Sequence, residues 1–135
     1  KRLDHVVLRV RDLEASLRFY RDVLGCTLDK VQERIGLWQV RAGASLIDLV
    51  PLDGLLGQAG GTGPAREGRN VDHFAIQIAP FDEDAMRAHL AAHGVAIERE
   101  AFHGGARGMG NSFYIRDPFG NKLELKGPAV YPDGR

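Results

Sequence analysis

Apolar and polar positions along this chain follow two periods that switch in a fixed order, and the order is written twice. His5 to Val10 reads as a short buried strand, and Leu13, Leu17, Tyr20, Val23 and Leu24 then recur at helical intervals and stop at Gly25. Three more short strands are expected near Cys26–Arg34, Gly36–Arg41 and Ala44–Pro51. The second half repeats the plan. A strand opens at His73, a helix is expected over Glu83–His93 with Asp82 as N-cap and Gly94 as stop, and strands are expected near Val95–Ala101, Asn111–Ile115 and Lys122–Lys126. The copies align by subtraction: His5 to His73 is a shift of 68, Gly25 to Gly94 of 69, and Asp48 to Glu124 of 76, so only loops have changed length.

The repeat defines an α+β fold of two βαβββ modules, expected to form a curved, partly open mixed sheet. We read one domain over residues 1–135, with module one at 3–52, a linker at 53–70 and module two at 71–127. With 135 residues and 44% hydrophobic content, the chain buries one real core and is too short for two independent domains of usual size. The linker carries Gly54, Gly57, Gly60, Gly61, Gly63 and Gly68, and reads equally as plain connection or as a mobile lid.

Charge narrows the partners. Eighteen basic residues balance eighteen acidic ones, which gives no footprint for nucleic acid or an anionic membrane and leaves a small molecule as the expected ligand. No stretch approaches the length of a spanning helix, and the single cysteine, Cys26, excludes an internal disulfide; the expected compartment is the reduced cytoplasm. Neither glycine cluster has phosphate-loop spacing.

The candidate chemistry sits at equivalent places in the two copies. Asp4-His5 and Asp72-His73 open the modules, and an acid inside an apolar run closes each, Asp48 in Leu46-Ile47-Asp48-Leu49 and Glu124 in Leu123-Glu124-Leu125. Two imidazoles and two carboxylates suit a single divalent ion, Zn, Ni, Fe, Mn or Co, with His5, Asp48, His73 and Glu124 as ligands. Strand alternation puts Arg9 on the face of His5, and the turn Asp117-Pro118-Phe119-Gly120 places Tyr114 opposite Glu124. Each also has a plainer reading: a strand histidine as a hydrogen-bonded core residue, Glu124 as a solvated face, Asp48 as a turn or salt-bridge residue, Tyr114 as a core aromatic. His89 and His93, four apart on the second helix, read as a solvated face, and Cys26 as a small apolar residue. His103 and Arg107 are loop residues that read equally as exposed or substrate-facing.

The order His, acid, His, Glu within Leu-Glu-Leu resembles the vicinal oxygen chelate superfamily, which includes glyoxalase I, extradiol dioxygenases and fosfomycin-resistance enzymes. Arg2-Leu3-Asp4-His5 with Ser16-Leu17-Arg18-Phe19-Tyr20-Arg21-Asp22-Val23-Leu24-Gly25 looks most like the start of glyoxalase I, and Asn111 to Leu125 looks equally like the fosfomycin thiol transferases. The resemblance implies a divalent-metal-dependent lyase or isomerase acting on a small oxygen-chelating substrate such as a glutathione hemithioacetal. It implies Glu124 and Asp48 as proton-moving carboxylates, Tyr114 beside them, Arg9 at the substrate, and a homodimer; Arg107 is kept from its loop position as a second candidate substrate-binding residue. Asp48 stands where glyoxalase I has Glu, and the fosfomycin enzymes have no acid there, so a thiol transferase, a dioxygenase or a non-catalytic drug-binding protein stand as alternatives.

Overall fold

The computed structural model describes residues 3–65 and 67–131, which fall into two compact units: the residues up to Asn70 with Pro118–Gly120, and Val71–Asp117 with those from Asn121 onward. Arg2, part of the motif quoted above, lies outside the described residues.

In the first unit β1 (His5–Val10) is followed by α1 (Leu13–Arg18), β2 (Thr27–Gln32), β3 (Leu37–Ala42) and β4 (Ser45–Pro51), and the sheet order is β1-β4-β3-β2. β1 runs parallel to β4, pairing His5 with Leu46 and Val7 with Asp48, while β3 and β4 form an antiparallel hairpin pairing Gln39 with Asp48. Alternation then sorts the side chains. Leu8, Val10, Val40, Ile47 and Leu49 are buried with Phe19 and Tyr20, and each such side chain stabilises the fold by roughly 1.5–3 kcal/mol. His5, Val7, Arg9, Gln39 and Asp48 take the opposite face.

The second unit repeats the order: β5 (Phe74–Gln77), α3 (Glu83–Ala92), β6 (Arg99–His103), β7 (Gly110–Arg116) and β8 (Lys122–Lys126), with sheet order β5-β8-β7-β6. Here Phe113, Ile115, Leu123 and Leu125 are buried with Leu90 of α3. Asp82 caps α3 by accepting from the backbone amide of Ala85, and Gly94 ends it at φ +68°, as the sequence predicts. The turn before β8 is tied by Asp117, whose carboxylate accepts from the backbone and side-chain nitrogens of Asn121 at 2.9 and 2.7 Å.

Four expectations shift. The first helix does not run as one α-helix to Leu24; it widens after Arg18 into a π turn over Phe19–Val23, which buries both Phe19 and Tyr20. The second strand ends at Gln32, where a 3₁₀ turn over Glu33–Ile35 leads to Gly36 at φ +72°. β6 starts at Arg99 rather than Val95, because the amide of Val95 is drawn back to the carbonyl of Leu90 at the helix end. The linker is not a structureless loop: it contains α2 (Leu55–Ala59).

That linker is held by Arg9. The guanidinium donates to the carbonyls of Gly57, Gly60, Gly61 and Thr62 at 2.8, 2.9, 2.5 and 3.1 Å, gathering the carbonyl-rich C-terminal end of α2 around a cation. Arg11 adds a bond to the carbonyl of Pro64, and Asn70 donates to the carbonyl of Arg9. A Cβ at Gly60 would stand 2.6 Å from the Arg9 guanidinium carbon, and one at Gly57 only 1.8 Å from the carbonyl oxygen of Pro51. These glycines are there for close approach.

Candidate functional site

The dipeptide Asp-His does the same thing in both units. Nδ1 of His5 is 2.8 Å from Oδ1 of Asp4, and Nδ1 of His73 is 2.7 Å from Oδ1 of Asp72. With Nδ1–H donating to the carboxylate, each neutral ring keeps a lone pair on Nε2. This is the outer-shell arrangement by which proteins orient and strengthen an imidazole metal ligand. Both rings are partly exposed, with side-chain exposures of 46% and 36%.

In the second unit the acid is already beside its histidine. Nε2 of His73 lies 3.6 Å from Oε2 of Glu124, while the other oxygen, Oε1, accepts from the hydroxyl of Ser112 at 2.5 Å. Glu124 is 5% exposed, so the solvated-face reading does not hold for it. Register sets this up: Glu124 pairs with Tyr114 on one side and Ala75 on the other, and His73 immediately precedes β5 on the same face. The Tyr114 ring lies edge-on to His73 with centroids 5.6 Å apart. Burial, the Glu124 charge and the hydrogen bond to that carboxylate push the Tyr114 hydroxyl above its ordinary pKa, so it stays a proton donor at neutral pH.

In the first unit Asp48 is 4% exposed and shares a face with His5. Its two oxygens accept from the side-chain amide of Gln39 at 3.0 and 3.1 Å. The hydrogen bond to Asp4 and the negative charge of Asp48 together raise the pKa of His5. The buried, acceptor-rich Asp48 and the tautomer-fixed His5 fit a hard or borderline divalent cation, and so do His73 and Glu124. Among the described residues, no three His, Cys, Asp or Glu side chains gather at one point; the candidate ligands come as two pairs, one in each unit.

The remaining candidates separate. Arg9 shares the face of His5, but its guanidinium is engaged with the four linker carbonyls. Arg107 is exposed in the loop before β7, and His103 ends β6. His89 and His93 are exposed on α3, and Cys26 is buried with its thiol pKa raised by that burial. An open groove of about 580 Å³ in the first unit is lined by residues including Arg11, Glu33 and Trp38; Trp38 pairs with Leu49, on the face away from His5.

Sequence reasoning missed Gln39, Ser112 and the role of Asp4 and Asp72. Their signals were present. Counting back from the turn at Gly43-Ala44 puts Gln39 opposite Asp48, and Ser112 is the diagonal neighbour of Glu124 across the hairpin.

Residues 2–125 match the Glyoxalase/Bleomycin resistance protein/Dioxygenase superfamily, and the chain belongs to it. It is 33% identical over 124 residues to the glutathione transferase FosA of Serratia marcescens, covering 91% of this chain and 78% of that protein. Among solved structures it is similar to an integron cassette protein from the mobile metagenome of Vibrio cholerae, with 27% identity, a TM-score of 0.71 and 94% of each chain covered. It also shares the fold of the lactoylglutathione lyase of Agrobacterium tumefaciens, with 22% identity, a TM-score of 0.66, and 97% and 96% of the two chains covered. No helix among the described residues is long and apolar enough to cross a membrane.

Proposed function

We propose that this protein is a divalent-metal-dependent lyase or isomerase acting in the cytoplasm, as a homodimer, on a small substrate with adjacent oxygens, such as a glutathione hemithioacetal. The observation that carries the reading is the repeated Asp-His clamp, which fixes both histidines in the tautomer that binds metal through Nε2. His5, His73 and Glu124, with Asp48, are the residues that would hold the ion. When bound, such an ion polarises substrate oxygens and stabilises negative charge that develops on them.

The chain's own groups supply the rest. Asp48 is a buried carboxylate on the His5 face and suits removal of a carbon-bound proton. Tyr114, held protonated beside Glu124, suits donation of a hydrogen bond to a substrate oxygen. Ser112 fixes the rotamer of Glu124.

A second reading, a glutathione transferase, is favoured by a separate observation: the Gln39 amide occupies both oxygens of Asp48, which suits a positioning role better than a base, and the chain is similar to FosA. One experiment separates them. Metal content is measured on the purified protein, and turnover on methylglyoxal with glutathione, and on fosfomycin with glutathione, is measured for wild type and Asp48→Asn. The lyase reading expects bound metal and a roughly 10²- to 10⁴-fold loss of hemithioacetal turnover in the variant. Fosfomycin turnover that survives Asp48→Asn would replace it with the transferase.

A further inference from the structure

We infer that His89 and His93, at the C-terminal end of α3, form a second metal site that holds one imidazole-seeking divalent cation, Cu(II) ahead of Zn(II), through two ring nitrogens. The site uses none of the residues assigned to the ion above and stands or falls independently of the enzyme reading.

The helix builds the pair. Residues four apart stand one above the other on an α-helix, with Cβ atoms about 5–6 Å apart. Here the two rings have drawn together to 4.5 Å between centroids, at a tilt of 48°. Nδ1 of His93 is 2.9 Å from the carbonyl oxygen of His89. A carbonyl only accepts, so Nδ1 carries the proton and the neutral ring keeps its lone pair on Nε2. This is the device found at His5 and His73, with a backbone carbonyl in place of the carboxylate, and it is the support that metal-bound imidazoles ordinarily have. His89 stands in the last turn of α3 and His93 is its C-cap residue, where the partial negative charge of the helix end favours a bound cation. Both residues are exposed, which leaves water to fill the other positions around an ion bonded to nitrogen at about 2.0–2.1 Å.

The donor set chooses the cation. The residues between the two histidines are Leu90, Ala91 and Ala92, so the pair offers nitrogen alone. The acids of α3, Asp82, Glu83 and Asp84, stand at its opposite end, and the charge of Arg87 is met by Glu83 and Glu100. Two imidazoles without a carboxylate suit copper most, then nickel and zinc, and pass over magnesium, which takes oxygen. The pairs His5 with Asp48 and His73 with Glu124 each mix nitrogen with oxygen and fit a harder range of ions. A helical His pair that encloses a glutamate also carries a general base; this one does not, so it holds a cation without hydrolytic chemistry.

The test titrates the full chain with Zn(II) and follows the histidine rings by ¹H–¹³C spectra. Saturable shifts with one common midpoint are expected at His89 and His93, with no shift there in Mg(II), and Cu(II) should displace the zinc at lower concentration. His89→Gln and His93→Gln should each weaken zinc binding at the remaining ring about tenfold or more, because chelation is lost. His89→Gln alters no capping residue and decides the question by itself if His93→Gln loosens the helix end. Absence of a saturable shift at either ring, separate midpoints for the two rings, or unchanged affinity in His89→Gln would each overturn the inference. Shifts at His5 and His73 in the same spectra are scored separately and bear only on the enzyme reading.

Discussion

Gln39 donates both of its amide contacts to Asp48, one to each carboxylate oxygen. The pair joins β3 to β4 on the face of His5, and the acid is buried. Hydrogen bonds to a charged group typically contribute about 1.5–3 kcal/mol, and a buried carboxylate left without donors is costly. Gln39→Ala is therefore expected to lower stability by about 1–3 kcal/mol. Asp48→Asn, which keeps an amide-to-carbonyl bond, should cost less than half as much. Urea unfolding of both variants measures the difference, and a larger loss in Asp48→Asn would contradict this account.

The Asp-His clamps predict a shared metal phenotype. Asp4→Asn and Asp72→Asn remove no proposed ligand, yet each should weaken divalent-metal affinity about 10- to 100-fold by freeing the imidazole tautomer and orientation. Isothermal titration with Zn or Mn gives the number. His73→Ala and Glu124→Ala should nearly abolish occupancy, so full retention in those two variants would remove the site.

The pH dependence follows from His5. Its folded pKa is raised above 6.5 by Asp4 first and Asp48 second, so folding of the metal-free protein favours the imidazolium relative to the unfolded chain. Its stabilising effect is present below the unfolded value and lost as pH rises through the folded one. Metal must displace that proton, so metal affinity should climb with pH through the same interval. An NMR titration of His5 should give a midpoint above 6.5, and Asp4→Asn should bring it down; a midpoint unchanged by that substitution would rule out Asp4 as the cause.

The Arg9 clasp predicts an ordered linker. Arg9→Ala should release residues 57–62, raising hydrogen exchange there and creating a protease-sensitive site, and Gly60→Ala should do the same because its methyl group displaces the guanidinium. Gly68→Ala, where an added Cβ meets nothing, serves as the control. Equal cleavage of all three variants and the wild type would show that the clasp does not hold in solution.

The proposed homodimer is checked by light scattering at micromolar concentrations. The edge strand β2 leaves Leu28 and Val31 at 40% and 38% exposure, the kind of apolar edge that association covers. A strictly monomeric mass with metal bound would exclude the need for a second copy.

Much of this fold was legible because its signals are local. The α3 cap at Asp82, the stops at Gly25 and Gly94 and the pairing of Tyr114 with Glu124 each depend on a few adjacent residues. What escaped depends on contacts distant in sequence. Arg9 read as a substrate residue because it shares the strand face of His5; it is occupied by carbonyls 48 to 53 positions away, which carry no side-chain signature. The same interaction explains why a glycine-rich stretch that reads equally as plain connection or as a mobile lid is fastened down. Gln39 and Ser112 escaped for a milder reason: both are found by counting register from a turn, but amides and hydroxyls in strands do not draw attention as imidazoles do.

The parallel pairings have a consequence for how each unit assembles. Within a unit, β3 and β4 or β7 and β8 meet across a tight turn, whereas closing β1 on β4 joins His5 to Leu46, 41 residues on, and closing β5 on β8 joins Phe74 to Leu123, 49 residues on. Loop-closure entropy rises with length, and going from a hairpin turn to such a span adds about 2 kcal/mol. The antiparallel hairpins therefore form first, and the histidine-bearing segment docks last. Each histidine meets its carboxylate only in the finished sheet, so an ion that needs both can reward the completed fold but cannot nucleate it.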